Sequence, residues 1–192
     1  HTIAYTGAIC VFVDILESTL CIDPEAIKKA ITPKTKAIML VHNFGIPAEM
    51  DEIMAIAKEH GLYVIEDAAP ALSSEYKGQK CGTFGDIACF SFQGAKIAVT
   101  GEGGIMVTNN PELYERAKLY ANMGRTDRMG PFWCDELGYQ YTISNLSASL
   151  ALAQVERVEE LKAKKRQIHH WYCNRLEGHD KIQMVKEPSY SS

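Results

Sequence analysis

The sequence predicts an α/β fold, a mainly parallel sheet flanked by helices. Short apolar, β-branched runs alternate with well-capped helical segments over the first seventy residues, and the joints between them are short. The third apolar run also ends in an acidic pair, Glu66–Asp67, at the strand end where open parallel sheets bind their ligands.

The elements follow in order. "ICVFVDI" (Ile9 to Ile15) reads as a buried strand, entered almost at once from the amino end. In "IDPEAIKKAI", Asp23 can cap a helix, Pro24 suits its first position and Glu25 complements its dipole. "AIMLVHNFG" is a second strand, ended by Gly45. "AEMDEIMAIAKEHG" places Met50, Ile53, Met54 and Ala57 on one helical face, with Gly61 as the stop. "LYVIEDAA" is the third strand. "DIACFSF" and "GGIMVTNN" are two more, and the segment holding Lys96 lies between them. "NPELYERAKLYANMG" is a helix with Asn110 as cap, Pro111 as start and Gly124 as end. A polar loop runs from Arg125 to Gly138. From Ser144 to about Leu176 the chain reads as helix, continuous or broken, with Leu146, Leu150, Val155, Val158, Leu161, Ile168 and Tyr172 along its apolar stripe.

Composition excludes several classes of function. The 192 residues are 46% hydrophobic and 23% charged, with a net charge of -4, an ordinary globular mixture without the basic excess of a nucleic-acid surface. The basic run Lys162, Lys164, Lys165, Arg166 lies among Glu156, Glu159 and Glu160 and reads as a solvated helix face. No apolar stretch is long enough to span a bilayer and no signal peptide is evident, so the default is a soluble cytoplasmic protein without nucleic-acid or membrane partners. The six cysteines form no C-x-x-C pair and read as buried, reduced thiols. His169 and His170 are adjacent on a helix, a spacing that does not suit two metal ligands.

Chemistry concentrates between residues 67 and 104. Asp67 alone could equally be a structural cap for the next turn. It is followed, however, by Ser91, Lys96 and the glycines of "TGEGG". An acid, a small hydroxyl and a lysine in that order suit pyridoxal phosphate. That cofactor needs a lysine amine for a Schiff base and a carboxylate to keep its ring nitrogen protonated. It also needs hydroxyls or N–H groups for its phosphate.

Three blocks, "VHNFGIPAEMDEIMAIAKEHGLYVIEDAAPA", "GTFGDIACFSFQGAKIAVTGEGGIMVTNN" and "ELGYQYTISNLSASLALAQVER", closely resemble the DegT/DnrJ/EryC1/StrS family of sugar aminotransferases. The likeness runs from about Gly7 to about Leu176. It implies the large domain of a fold-type-I aminotransferase, and by position it makes Lys96 the Schiff-base lysine and catalytic proton carrier. The same match pairs Asp67 with the pyridine nitrogen and Ser91 with the phosphate, so Asp67, Ser91 and Lys96 hold the cofactor. No metal is implied. The implied reaction moves an amino group from an amino acid, glutamate in most relatives, to a keto group of a nucleotide-linked sugar. Such chemistry serves amino-sugar and polysaccharide biosynthesis, lipopolysaccharide included.

The sequence also departs from the family pattern. Pro70 stands where many members carry a polar residue near the cofactor. Gln140 replaces the commoner asparagine that reaches a neighbouring subunit's phosphate, and Gln93 occupies a position that varies. The family's N-terminal phosphate-binding region and C-terminal small domain are not represented, so the chain reads as truncated at both ends. Residues 1–143 form a partial cofactor-binding large domain and residues 144–192 a helical segment leading toward a small domain, with a homodimer implied for the full-length parent. The competing readings are another fold-type-I enzyme (an amino-acid aminotransferase or a sugar dehydratase) and an inactive fragment acting only as a binding module. "TGEGG" does not match a dinucleotide-binding G-x-G-x-x-G turn, which disfavours a dehydrogenase.

Overall fold

A computed structural model describes residues 1–126, 130 and 132–192 of the chain. In chain order its elements are α1 (Thr2–Tyr5), α2 (Pro24–Ala30), β1 (Ala37–Val41), α3 (Met50–His60), β2 (Tyr63–Asp67), β3 (Glu75–Tyr76) and β4 (Gln79–Lys80). They continue with β5 (Ile87–Ser91), β6 (Gly104–Val107), α4 (Pro111–Ala121), α5 (Asn145–Val155) and α6 (Val158–Leu176). A 3-10 turn, Asn43–Gly45, follows β1.

The main sheet has the order β1-β2-β5-β6. β1, β2 and β5 run parallel, and β6 returns antiparallel along β5, so the predicted mainly parallel sheet is the one observed. The helices form where local chemistry directs them. Asp23 accepts the Glu25 N–H at 2.9 Å and Pro24 opens α2, filling a donor that the first turn leaves unpaired. Gly61 ends α3 in the left-handed conformation at φ 60°, which glycine adopts without steric cost. The Asn110 side chain accepts from the N–H groups of both Glu112 and Leu113 at the start of α4.

The sheet's two faces differ sharply. Ile38, Leu40, Val64, Glu66 and Ala88 are buried on one face. Ile38, Leu40 and Val64 belong to a core cluster with Ile27 of α2 and Met50, Ile53, Ile56 and Ala57 of α3. Each large apolar side chain sealed there contributes about 1.5–3 kcal/mol. Along the same strands the alternate residues Val41, Tyr63 and Cys89 are exposed, and Met39, Ile65, Asp67 and Ile87 are half-buried.

Several expectations need correction. The Ile9–Ile15 run is not a strand: Phe12 is 93% exposed, and among the described residues its one ladder contact is an isolated bridge from Ile15 to Ile22. Among the described residues it meets no strand edge to pair with, and an unpaired strand is not stable alone. The amino end enters a short helix, α1, rather than a strand. The β3–β4 hairpin was not predicted. It turns on Lys77 and Gly78, both at positive φ, as a two-residue I′ turn requires. The helical stretch beyond Ser144 is broken between Val155 and Val158, one of the two forms the sequence allows. Its apolar stripe is mostly uncovered: Leu146 is 84% exposed, and Leu150, Val155, Ile168 and Tyr172 are exposed as well. Of the six cysteines, all free, only Cys21 and Cys81 are buried; Cys89 and Cys134 are exposed. Within the predicted Arg125–Gly138 loop, residues 127–129 and 131 lie outside the described residues. Among the described residues, no helix is long and apolar enough to cross a membrane.

Candidate active site

The register of the parallel strands assembles the site. Val41 pairs with Asp67, and Asp67 with Cys89. Ser91 lies two residues beyond Cys89 on β5, so Asp67, Cys89 and Ser91 share one sheet face. That face is the uncovered one, and the three residues lie at the carboxyl edge of the parallel strands. The structure therefore brings Asp67 and Ser91 together at the edge where α/β sheets bind ligands.

Lys96 leaves this edge on the 92–103 loop. The loop's base is closed by three ties. Phe92 N–H donates to Gly103 O at 2.9 Å, Thr100 N–H donates to Phe92 O at 2.9 Å, and Gln93 bridges Gly101. Its inner side is anchored by Phe92 and Ala98, which pack with Ala151 of α5 and with Leu72. Gly104 is required where the chain re-enters the sheet, because a Cβ there would lie 2.6 Å from Phe90 O. Lys96 itself is half-buried, and its backbone N–H donates to Gln93 O at 2.9 Å. Among the described residues its ammonium makes no hydrogen bond or ion pair.

The donor set suits the aldehyde, the ring nitrogen and the phosphate of pyridoxal phosphate. Asp67 Oδ1 accepts the Ala69 N–H at 3.1 Å, which leaves Oδ2 for a proton on a ring. Ser91 Oγ accepts the Gln93 N–H at 3.2 Å, and its own O–H stays available to a phosphate oxygen. The neighbouring Gln93, Gly94 and Ala95 are exposed, so this edge is an open shelf. Two surface hollows, one beside Ile31 and His60 and the other beside Gly82 and Asn109, lie away from these residues. Gln140 bridges Asn122 and donates its amide to Thr142 Oγ1 of its own chain at 2.8 Å. Pro70 is half-buried.

Sequence reasoning missed what lies behind Asp67. Glu66 and His42 are both 0% exposed, and they meet at 2.9 Å between Glu66 Oε2 and His42 Nε2. His42 Nδ1 accepts the Ala48 N–H at 3.1 Å, so Nε2 carries the proton and donates. Glu66 also accepts from Gly82 N–H at 2.7 Å, Phe84 N–H at 2.8 Å and Gly85 N–H at 2.6 Å. Burial by itself would raise the Glu66 pKa, but the His42 bond and the Gly85 and Gly82 N–H groups outweigh it. The carboxyl therefore sits below its ordinary value and is ionised. Beside it, burial and the Glu66 charge push the Cys81 thiol up to about 12. The signal was in the strand pattern: in "YVIED" Glu66 shares a face with Val64, and a carboxylate on a core face needs partners.

Comparison with known proteins identifies the family. The model of the DegT/DnrJ/EryC1/StrS aminotransferase family matches residues 1–192. A GDP-perosamine synthase of Escherichia coli O157:H7 is 42% identical over 187 residues, covering 97% of this chain and 50% of that protein. A UDP-N-acetyl-3-dehydro-alpha-D-glucosamine 3-aminotransferase of Acidithiobacillus ferrooxidans is 37% identical over 190 residues, 98% of this chain and 50% of that protein. Among solved structures, S. venezuelae DesV in complex with a ketimine intermediate superposes with a TM-score of 0.92 at 30% identity. That match covers 99% of this chain and 51% of DesV. The chain spans about half the length of the curated relatives it matches.

Proposed function

The chain belongs to the DegT/DnrJ/EryC1/StrS aminotransferase family, and from that membership we propose that it carries the lysine- and aspartate-bearing part of a pyridoxal-phosphate-dependent aminotransferase acting on a nucleotide-linked keto-sugar, with an amino acid, glutamate by preference, as donor. The observation that carries the reading is the shared open face of Asp67 and Ser91 at the sheet's carboxyl edge, with Lys96 on the pinned loop that leaves it. The names of the relatives, one a GDP-sugar synthase and one a UDP-sugar aminotransferase, support a nucleotide sugar as acceptor.

Pyridoxal phosphate, when bound, supplies an electron sink for a carbanion formed next to the transferred nitrogen. Lys96 would hold its aldehyde carbon through Nζ, and Ser91 would donate its hydroxyl proton to the phosphate. Asp67 would keep the proton on the ring nitrogen by placing a negative charge beside it. With its amine freed, Lys96 Nζ would take a proton from the carbon bearing the donor nitrogen and deliver it to the cofactor's aldehyde-derived carbon, as general base and then general acid. The open shelf leaves room for a large acceptor. In the full-length parent the partner subunit of a homodimer closes it, and the enzyme works in the cytoplasm.

The test is amino transfer from glutamate to a nucleotide-linked keto-sugar by the full-length parent, with product mass as readout. Transfer to the sugar, and its fall by at least about a hundredfold in Lys96→Ala, is the expected result. Equal transfer to common keto acids, or an unaffected Lys96→Ala variant, would overturn the reading.

A further inference from the structure

Resting on that reading, we propose that His42 and Glu66, on the covered side of the sheet, are positioning residues for Asp67 on its open side. His42 grips both members of the Glu66–Asp67 pair. Its imidazole donates to Glu66 Oε2 at 2.9 Å, and its backbone N–H donates to the carbonyl oxygen of Asp67 at 3.1 Å. Glu66 in turn fastens the 82–85 loop through three backbone N–H groups. That loop leads directly into β5, which bears Ser91. The next residue, Asp86, completes the seam: its carboxylate accepts the Val64 N–H at 2.7 Å and its N–H donates to Val64 O at 2.9 Å. One buried carboxylate therefore ties the end of β1, the end of β2 and the entry to β5, the strands whose carboxyl edge forms the shelf.

A merely structural role explains this arrangement poorly. A buried ion is costly to desolvate, and well-packed apolar residues of the same volume often stabilise a fold equally well or better. Apolar replacements would not fix the depth of Asp67 relative to Ser91. Four directed hydrogen bonds on Glu66 do, because each fails if a strand slides. The two glycines in the clamp allow the close approach. A Cβ on Gly82 would meet Phe90 Cζ at 2.4 Å, and one on Gly85 would meet Val64 O at 2.6 Å.

The test titrates pyridoxal 5′-phosphate into the 192-residue chain and reads the dissociation constant from the visible absorption, with thermal unfolding measured in parallel. The variants separate geometry from packing. In His42→Gln the amide can still donate to Glu66 from the place of Nε2, whereas His42→Asn keeps only an acceptor for Ala48. The expected result is a dissociation constant raised about tenfold or more in Glu66→Gln and His42→Asn, as suits the loss of a charged hydrogen bond, with His42→Gln restoring most of the affinity. Thr108→Val is the control for stability. It removes the 2.6 Å bond from Thr108 Oγ1 to Asp86 O, weakening the same seam without touching Glu66, and it should lower the unfolding temperature while leaving the dissociation constant unchanged.

If Glu66→Gln does not fold, the two His42 variants decide alone. Equal affinity in His42→Asn and His42→Gln, or loss of affinity in Thr108→Val in proportion to its lost stability, would overturn the positioning role while leaving the aminotransferase reading standing. Wild-type chain that binds no pyridoxal phosphate would overturn the positioning role in this chain, while the aminotransferase reading stands or falls with the transfer assay above.

Discussion

On one face of the sheet Ile38, Leu40, Val64 and Glu66 are sealed beneath α2 and α3, while on the other face of the same strands Val41, Tyr63 and Cys89 meet solvent. Adjacent residues thus do opposite work. Glu66 is fully buried and held by four donors, whereas Asp67 keeps one carboxylate oxygen free at the open edge. The Lys96 side of the site is built more lightly than either. Its loop is anchored by a small cluster around Ala98, and neither α4 nor α6 buries a residue completely. Packing is concentrated on the one face, and under the proposed function the reactive groups stand on the other.

Substitutions on opposite faces should break that comparison if it is wrong. Ile53→Ala, in the sealed core, should cost about 2–5 kcal/mol by urea unfolding. Tyr63→Ser, on the open face at 58% exposure, should stay within about 0.5 kcal/mol. A comparable loss in both would mean that the open face is covered in solution. A smaller contrast is expected between two glycines. Gly85→Ala forces a Cβ to 2.6 Å from Val64 O and should cost about 1–3 kcal/mol. Gly94→Ala, with nothing within 4 Å, should leave the unfolding midpoint nearly unchanged.

The mildest effect should appear with pH. Because the Glu66 pKa is lowered in the fold, its contribution is present above the ordinary carboxyl value of 4.5. It is lost as pH falls through the folded value, since the unfolded chain then binds the proton first. The stability gap between wild type and Glu66→Gln should therefore narrow below pH 4.5. A gap that stays constant down to full acid unfolding would show that the Glu66 charge does not contribute.

Much of this was legible in the sequence wherever a local rule decides the outcome. Asp23, Asn110 and Gly61 act at helix ends through neighbours a few residues away, and the β1, α3 and β2 patterns are set by their own periodicity. The strand expected at Ile9–Ile15 failed because pairing needs a distant edge that an apolar run cannot reveal. The stripe from Leu146 to Tyr172 marked apolar positions correctly but not whether anything packs on them. The placement of Asp67, Ser91 and Lys96 came from motif resemblance. The His42–Glu66 clasp was hidden because it joins residues 24 apart whose types, read singly, look like ordinary polar ends of strands. Only the strand alternation of Glu66 with Val64 hinted at it.

The central claim, that Lys96 is the reactive amine of a site built on the open edge of this sheet, is tested most directly by trapping. The 192-residue chain is incubated with pyridoxal phosphate, reduced with borohydride and mapped by peptide mass. The account predicts one adduct, on Lys96, which disappears in Lys96→Ala and is weakened in Asp67→Asn. Label scattered over exposed lysines such as Lys28, Lys77 and Lys164, or unchanged by either substitution, would contradict it.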